Sequence, residues 1–343
     1  MPLIGSGTSL GWNSRLGFGE ETTWGTLLPA NLFLEFRSES FRKTIDEESL
    51  ESLGAGRSFI KRVTKNINVE GSLSYDFHPQ DALYLLKHVL MGTVTSAQVG
   101  VTGSYKHTFT TGDMSTIAQK GLTFEVQPDA QTTTAFIHYG NRVNSFKLSG
   151  SVGEPIKAEL SFIGRDSTTG TFATTTVVFT TLRPYMFQDL TFFYDGTTAS
   201  ITTGSAESII GFELTVENNL HNDANARSLG SRLLTALPPG RRMVKLSITQ
   251  RFDTTTAWSR FINNTQGAVR LTLDTGQTIG SVAAATTYSM LIDLGNVYYN
   301  SAIPEIADAG ILTHKVDIDS ISDTMTSAGK DIVVTVYSST TAY

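Results

Sequence analysis

Apolar and polar residues alternate with a period of two along much of the chain. Val69, Leu73 and Phe77 fall on one face of such a stretch, and Glu70, Ser72, Ser74 and Asp76 on the other. That pattern predicts a half-buried strand. His78-Pro79 follows. Proline suits the first helical position and drives the residue before it out of the α region, so a helix is expected to open here. Leu83, Leu86 and Leu90 supply its apolar stripe, and Gly92 ends it. The same sentence is written again at 244–267: an alternating strand, Asp253 as N-cap, an apolar stripe of Ala257, Phe261 and Ile262, and a closing Gly267. Trp258 stands where the first copy has Leu83 and is expected in the core. Further alternating strands run through Phe146 and Leu148, Ile156 to Phe162, Phe212 to Val216, Val316 and Ile318, and Ile332 to Val336.

The recurrence amounts to an internal repeat. Val69 and Val244, Ser72 and Ser247, Phe77 and Phe252, Ala82 and Ala257, and Gly92 and Gly267 are all 175 positions apart. Ser52-Leu53-Gly54 aligns with Ser228-Leu229-Gly230, Phe36 with Phe212, and Gly140-Asn141 with Gly295-Asn296. The expected architecture is mainly β, a β-rich α+β chain of two tandem domains, 31–165 and 183–343. Each is an antiparallel sheet or sandwich with one packed α-helix and a long loop arm. Residues 1–30 read as an N-terminal arm and the Thr-rich 166–182 as a linker, with 93–120 an insertion in the first copy. Long polar segments, Phe36 to Arg57 and Phe212 to Gly240, are expected to serve assembly.

Composition narrows the function. Of 343 residues, 40% are apolar and only 17% charged, with a net charge of −6. Globular chains run near 25% charged. Low charge suits surfaces hidden in an assembly, where unpaired charge is costly to desolvate. Basic residues are too few and too scattered to neutralise a nucleic-acid backbone. Cysteine is absent, which excludes disulfides and thiolate metal sites. The N-terminus lacks the pattern of a signal peptide, and no run is long enough to span a membrane.

The search for chemistry returns little. None of the six histidines stands in an H-x-x-x-H or H-E-x-x-H frame. A P-loop pattern is missing, and Gly5-Ser6-Gly7 precedes no helix. Asp46, Glu47, Glu48 and Glu51 lack the spacing of a calcium loop. No catalytic residue, metal or cofactor is expected.

Two segments carry a resemblance. Gly17-Phe18-Gly19-Glu20-Glu21-Thr22-Thr23-Trp24-Gly25-Thr26 is similar to the N-terminal arm common in tail tube proteins of long-tailed bacteriophages. The run Ser208 to Leu220 resembles the strand that enters their long loop. The resemblance implies a structural virion protein of the phage tail, assembled in the host bacterial cytoplasm, whose rings stack into a tube. Its partners would be other copies of itself, the tape-measure protein held inside, and the tail-tip and tail-terminator proteins. DNA would pass through without specific binding. A duplicated chain implies trimeric, pseudo-hexameric rings. Glu70, Ser72, Ser74, Asp76, Lys245, Ser247, Thr249 and Arg251 are then candidates to face the lumen. Asp46, Glu47, Glu48, Glu51, Arg227 and Arg232 are candidates for contacts between subunits or rings, and residues 1–30 and 93–120 for contacts with the ring above or below. Corresponding positions carry opposite charge at Arg37 and Glu213, Glu51 and Arg227, Glu70 and Lys245, and Asp76 and Arg251, which suggests pairing across a seam between copies. Competing readings are a capsid decoration or tail-tip protein, a carbohydrate-binding adhesin, and a hydrolase with scattered acids.

Overall fold

A computed structural model describes residues 11–51, 58–59, 61–80, 83–100, 103–112, 119–130, 133–173, 177, 179–195, 205–280, 286–304, 310–322 and 330–343. The described chain is mainly β, with two short helices and a large antiparallel sheet.

The first half contributes β1 (Arg15–Glu20), β2 (Leu32–Phe33), β3 (Ser38–Glu39), β4 (Arg42–Ser49), β5 (Arg62–Asp76) and α1 (Leu83–Leu90). It continues with β6 (Val94–Val99), β7 (Ser104–Thr110), β8 (Leu122–Gln127), β9 (Thr134–Ser151), β10 (Lys157–Gly164) and β11 (Asp166–Thr171). The second contributes β12 (Leu190–Asp195), β13 (Ser205–Glu207), β14 (Gly211–Glu217), β15 (Met243–Arg251) and α2 (Thr256–Ile262). After these come β16 (Gly267–Thr278), β17 (Thr287–Ser301), β18 (Thr313–Ser320) and β19 (Val333–Ser338).

One layer is a row of eight positions. β3 and β4, which together flank β5, are followed by β10 and the C-terminal part of β9. Next come β14, β15, β18 and the C-terminal part of β17. The strand order of the first four positions is therefore repeated in the second four, and β9 pairs directly with β14. The correspondence reaches details. Both β9 and β17 break register against their inner partners at an Asn-Ser step, between Val143 and Ser145 and between Tyr299 and Ser301.

A second layer forms from the N-terminal parts of the same long strands. β2, β1, β8, β9 and β11 make one section. β13, β12, β16, β17 and β19 make the other. β9 and β17 can serve both layers because each is long enough, at 18 and 15 residues, to bend from one into the other at its bulge. The core between the layers is one continuous apolar cluster running from Leu16 to Val336.

Several expectations change. Arg15–Glu20, expected in a free arm, is a strand with four consecutive buried residues. Residues 166–171, expected as linker, form β11. The 93–120 insertion contains the hairpin β6–β7, and β7 extends the second section by pairing with β19 of the same chain. The alignment of Phe36 with Phe212 is displaced: Lys43 stands opposite Val69 as Val216 stands opposite Val244. Residues 38–44 thus occupy the place of β14. The interruption between β3 and β4 hides this from a gapless comparison.

α1 begins at Leu83 rather than at Pro79, which lies in a bend. Leu83, Leu86 and Leu90 are buried as expected, with Leu85 and Val89. In α2, Ala257 is buried and Phe261 packs against the core. Ile262 is 58% exposed and Trp258 36%, against expectation. They sit one position past the buried stripe, so the helix turns them away from the sheet. α1 is packed against β9 and also against β7, whereas α2 is packed against β17, where no such hairpin follows.

Candidate assembly surface

The register carries Glu70, Ser72, Ser74 and Asp76 of β5 across to Ile163, Ser161, Glu159 and Lys157 of β10. It then passes to Ser145, Lys147 and Ser149 of β9 and Glu217, Thr215 and Glu213 of β14. It ends on Lys245, Ser247 and Thr249 of β15 and Asp319, Asp317 and Lys315 of β18. All the expected polar positions therefore share one face, opposite the core. Hydroxyls and charges stitch it together. Ser145 and Ser161 hydroxyls are 2.6 Å apart, and Asp317 accepts from Ser247 at 2.8 Å and Ser301 at 3.1 Å. Arg37 meets Asp76 at 2.7 Å, and Lys147 meets Glu213 at 2.7 Å. Acidic and basic groups interleave, so the face has no strong sign.

The expected pairing of Glu70 with Lys245 and Asp76 with Arg251 does not occur within the chain. β5 and β15 are four positions apart in the sheet, about 19 Å at the usual strand spacing. Arg37 pairs with Asp76 rather than Glu213, and Glu213 takes Lys147, a residue the sequence comparison did not single out.

The β9–β14 junction is held by more than its ladder. Asn218 N–H donates to the Asn144 carbonyl at 2.8 Å. The Asn218 side chain donates to the carbonyls of Val89 and Val143, and Leu220 N–H donates to Asn144 Oδ1. Beyond it, the segment after β14 folds back over the first half. Arg227 donates to Asn68 Oδ1 at 2.6 Å and to the Ile67 carbonyl, and Arg232 to the Lys65 carbonyl at 2.8 Å. Leu220, Ala226, Leu234 and Leu237 bury Met91 at the end of α1. Arg227 and Arg232 are thus engaged inside their own chain.

The corresponding segment of the first half is a hairpin arm rather than a loop. β4 is exposed at every residue, as are residues 62–66 of β5. Glu47 pairs with Arg62, Glu48 with Lys65, and Asp46 accepts from Asn68 at 3.1 Å. Its acidic residues are matched along its own length, Glu51 remaining exposed. Ile45, Leu50, Phe59 and Val63 are exposed apolar residues on it.

Buried charge elsewhere serves the frame. Glu21 is fully buried and accepts from the N–H groups of Gly25 and Gly140 and from Thr123 Oγ. Burial pushes its carboxyl up, with those donors opposing the shift. Among the described residues no group of three or more His, Asp or Glu side chains could hold a metal ion, and no helix is long and apolar enough to cross a membrane. What the geometry offers is a broad, nearly neutral polar sheet face, open strand edges and a projecting arm.

A family model of phage tail tube proteins matches residues 11–320, spanning both halves of the sheet. The chain belongs to the phage tail tube protein family. Its role is accordingly that of a structural component of a phage tail, in the virion. No curated protein matches the chain. For a tail tube protein the polar face, the edges and the arm are the parts that matter, since self-assembly is what such a chain must accomplish. The lateral contacts Lys147–Glu213 and Asn144–Asn218 were not foreseen; the recurring Val-Asn-Ser and Tyr-Asn-Ser steps were the available signal.

Proposed function

We propose that the chain is a duplicated tube subunit, three copies of which close a ring of six sheet units. Rings stack into a tube that houses the tape-measure protein and later conducts DNA. The supporting observation is the repeated strand order joined by the β9–β14 ladder. A unit that pairs last strand to first strand can repeat that contact around an axis, and a head-to-tail contact that returns on itself makes a ring. Closure also removes the open edges that would otherwise invite aggregation.

On this reading Glu70, Ser72, Ser74, Asp76, Lys245, Ser247, Thr249 and Arg251 line the lumen. Interleaved charge there gives duplex DNA no continuous basic track, so counterion release, the main source of non-specific affinity, is small. The tail-tip and tail-terminator proteins would meet the two ends of the stack. The test is electron microscopy of the purified protein with mass measurement of its rings. Hollow rings with three chains per layer are expected; six per layer would overturn the duplicated reading while keeping the tube.

A further inference from the structure

The chain contains one complete example of its own junction and one unused half of it at each end. Within the chain, β9 offers its edge to β14. At the far end, β17 runs beside β18 through the same bulge, with Asn300 in the place of Asn144 and Ser301 in the place of Ser145. Among the described residues the opposite side of Tyr298–Ser301 has no strand partner. At the near end, residues 38–44 pair with β5 as β14 pairs with β15, and among the described residues no strand is laddered to their other side. A groove of about 640 Å³ runs beside this edge, lined by Phe41, Lys43, Val126, Phe136 and His138.

We infer that the β17 edge of one chain receives residues 41–44 of another copy in the register that joins β9 to β14. Transferring that ladder places Ser301 opposite Thr44, Ala302 opposite Lys43 and Ile303 opposite Arg42. Pro304, which has no N–H, falls opposite Phe41 and ends the ladder, which keeps the intermolecular contact shorter than the internal one. The internal junction's ion pair has no counterpart, because Ile303 and Ser40 replace Lys147 and Glu213. Ile303 is 60% exposed in the single chain, as expected of a residue awaiting a cover.

The arms agree with this placement. Within the chain, the segment after β14 covers the end of α1. The segment after residue 44 carries exposed Ile45, Leu50, Phe59 and Val63, and α2, beside β17, exposes Trp258 and Ile262. The hairpin arm of the incoming copy is positioned to cover α2.

The inference rests on the ring reading and is tested separately from it. The chain has no cysteine, so engineered thiols are the only ones present. In the internal ladder the Asn218–Asn144 pair is hydrogen-bonded, so the adjacent Glu217–Ser145 pair is the narrow, non-hydrogen-bonded kind. Its spacing of about 4.5 Å between Cα atoms lies within reach of a disulfide. Thr44→Cys and Ser301→Cys, mixed as single variants and oxidised after assembly, are expected to give a covalent dimer; the double variant should give closed three-chain species. Thr44→Cys with Ala302→Cys, one residue out of register, points its thiols to opposite faces and should link at least about tenfold less. Assembled tubes in which 44 and 301 fail to link, or in which 302 links better, overturn the inference and leave the tube reading intact. Wild-type chains that form no ring or tube, even on a tail-tip complex, sink the tube reading itself.

Discussion

Glu20 stands where two lysines and a histidine converge: Lys87 at 2.5 Å, His88 at 3.1 Å, and Lys120. Burial alone would raise its carboxyl, but hydrogen bonds from His88, Lys120 and Lys87 outweigh it and hold the group far below the usual carboxylate range. Burial also lowers His88, which then keeps its proton on Nε2 to donate to Glu20. A depressed acid stabilises the fold at pH values above its unfolded pKa, near 4.3, and that contribution drains away as pH falls toward the folded value. Glu20→Gln should therefore cost about 1–3 kcal/mol at pH 7, since it strips two partly buried lysines of their acceptor. Thermal melts should show the gap to wild type closing as pH drops well below about 4; a gap independent of pH would refute the ionic account. Gly92 offers a second residue-scale test. A β-carbon there would run into the Thr110 carbonyl, which is backbone and cannot swing aside. Gly92→Ala is expected to destabilise by about 1–3 kcal/mol or more. Gly295, where a β-carbon meets nothing within 4 Å, serves as the control and should change little in a denaturant titration.

At the scale of elements, the two helices show what periodicity can and cannot reveal. Both apolar stripes were legible, because a 3.6-residue repeat needs only the local chain. Whether a stripe is covered depends also on distant segments and on each residue's angle around the helix: α1 has the β6–β7 hairpin beside it, while Ile262, one position past the buried stripe of α2, is exposed where Leu86 is buried. Leu86→Ala should cost about 2–5 kcal/mol, whereas Ile262→Ala should stay within about 0.5 kcal/mol in the unassembled chain. Equal losses by chemical denaturation would contradict the difference in packing. β5 and β15 were readable for the same local reason, their alternation having one dry face. β1 was not: its four consecutive buried residues, two of them glycine, carry no period-2 signal. Only the C-terminal part of β9 was readable, at Phe146 and Leu148, and β17 escaped, because a strand that crosses between layers at a bulge exchanges its inward and outward faces midway. The partners at the β9–β14 junction escaped because register between distant strands is a property of the sheet, not of either segment.

At the scale of the whole molecule, the polar face matters through its summed charge. Its acids and bases alternate closely enough that a duplex passing 10 Å or so away sees little net potential under physiological salt. Glu70 and Glu159 are exposed on that face, and among the described residues neither is held in an ion pair. Replacing both with Lys leaves the core and the β9–β14 ladder untouched, so tubes should still assemble. If the face lines the lumen, each added lysine brings a phosphate contact within reach, and binding should rise while becoming steeply salt-dependent. Purified tubes of the Glu70→Lys, Glu159→Lys variant are expected to retain short duplex DNA at about 50 mM salt and release it by about 200 mM, where wild-type tubes retain none at either. Retention by the variant only through its outer surface, detectable when the tube ends are capped, would place this face outside and reverse the assignment of the sheet. Slower DNA delivery from variant virions, with normal tail length, would follow from the same trapped contacts, since tail length depends on assembly and delivery on the friction of the bore.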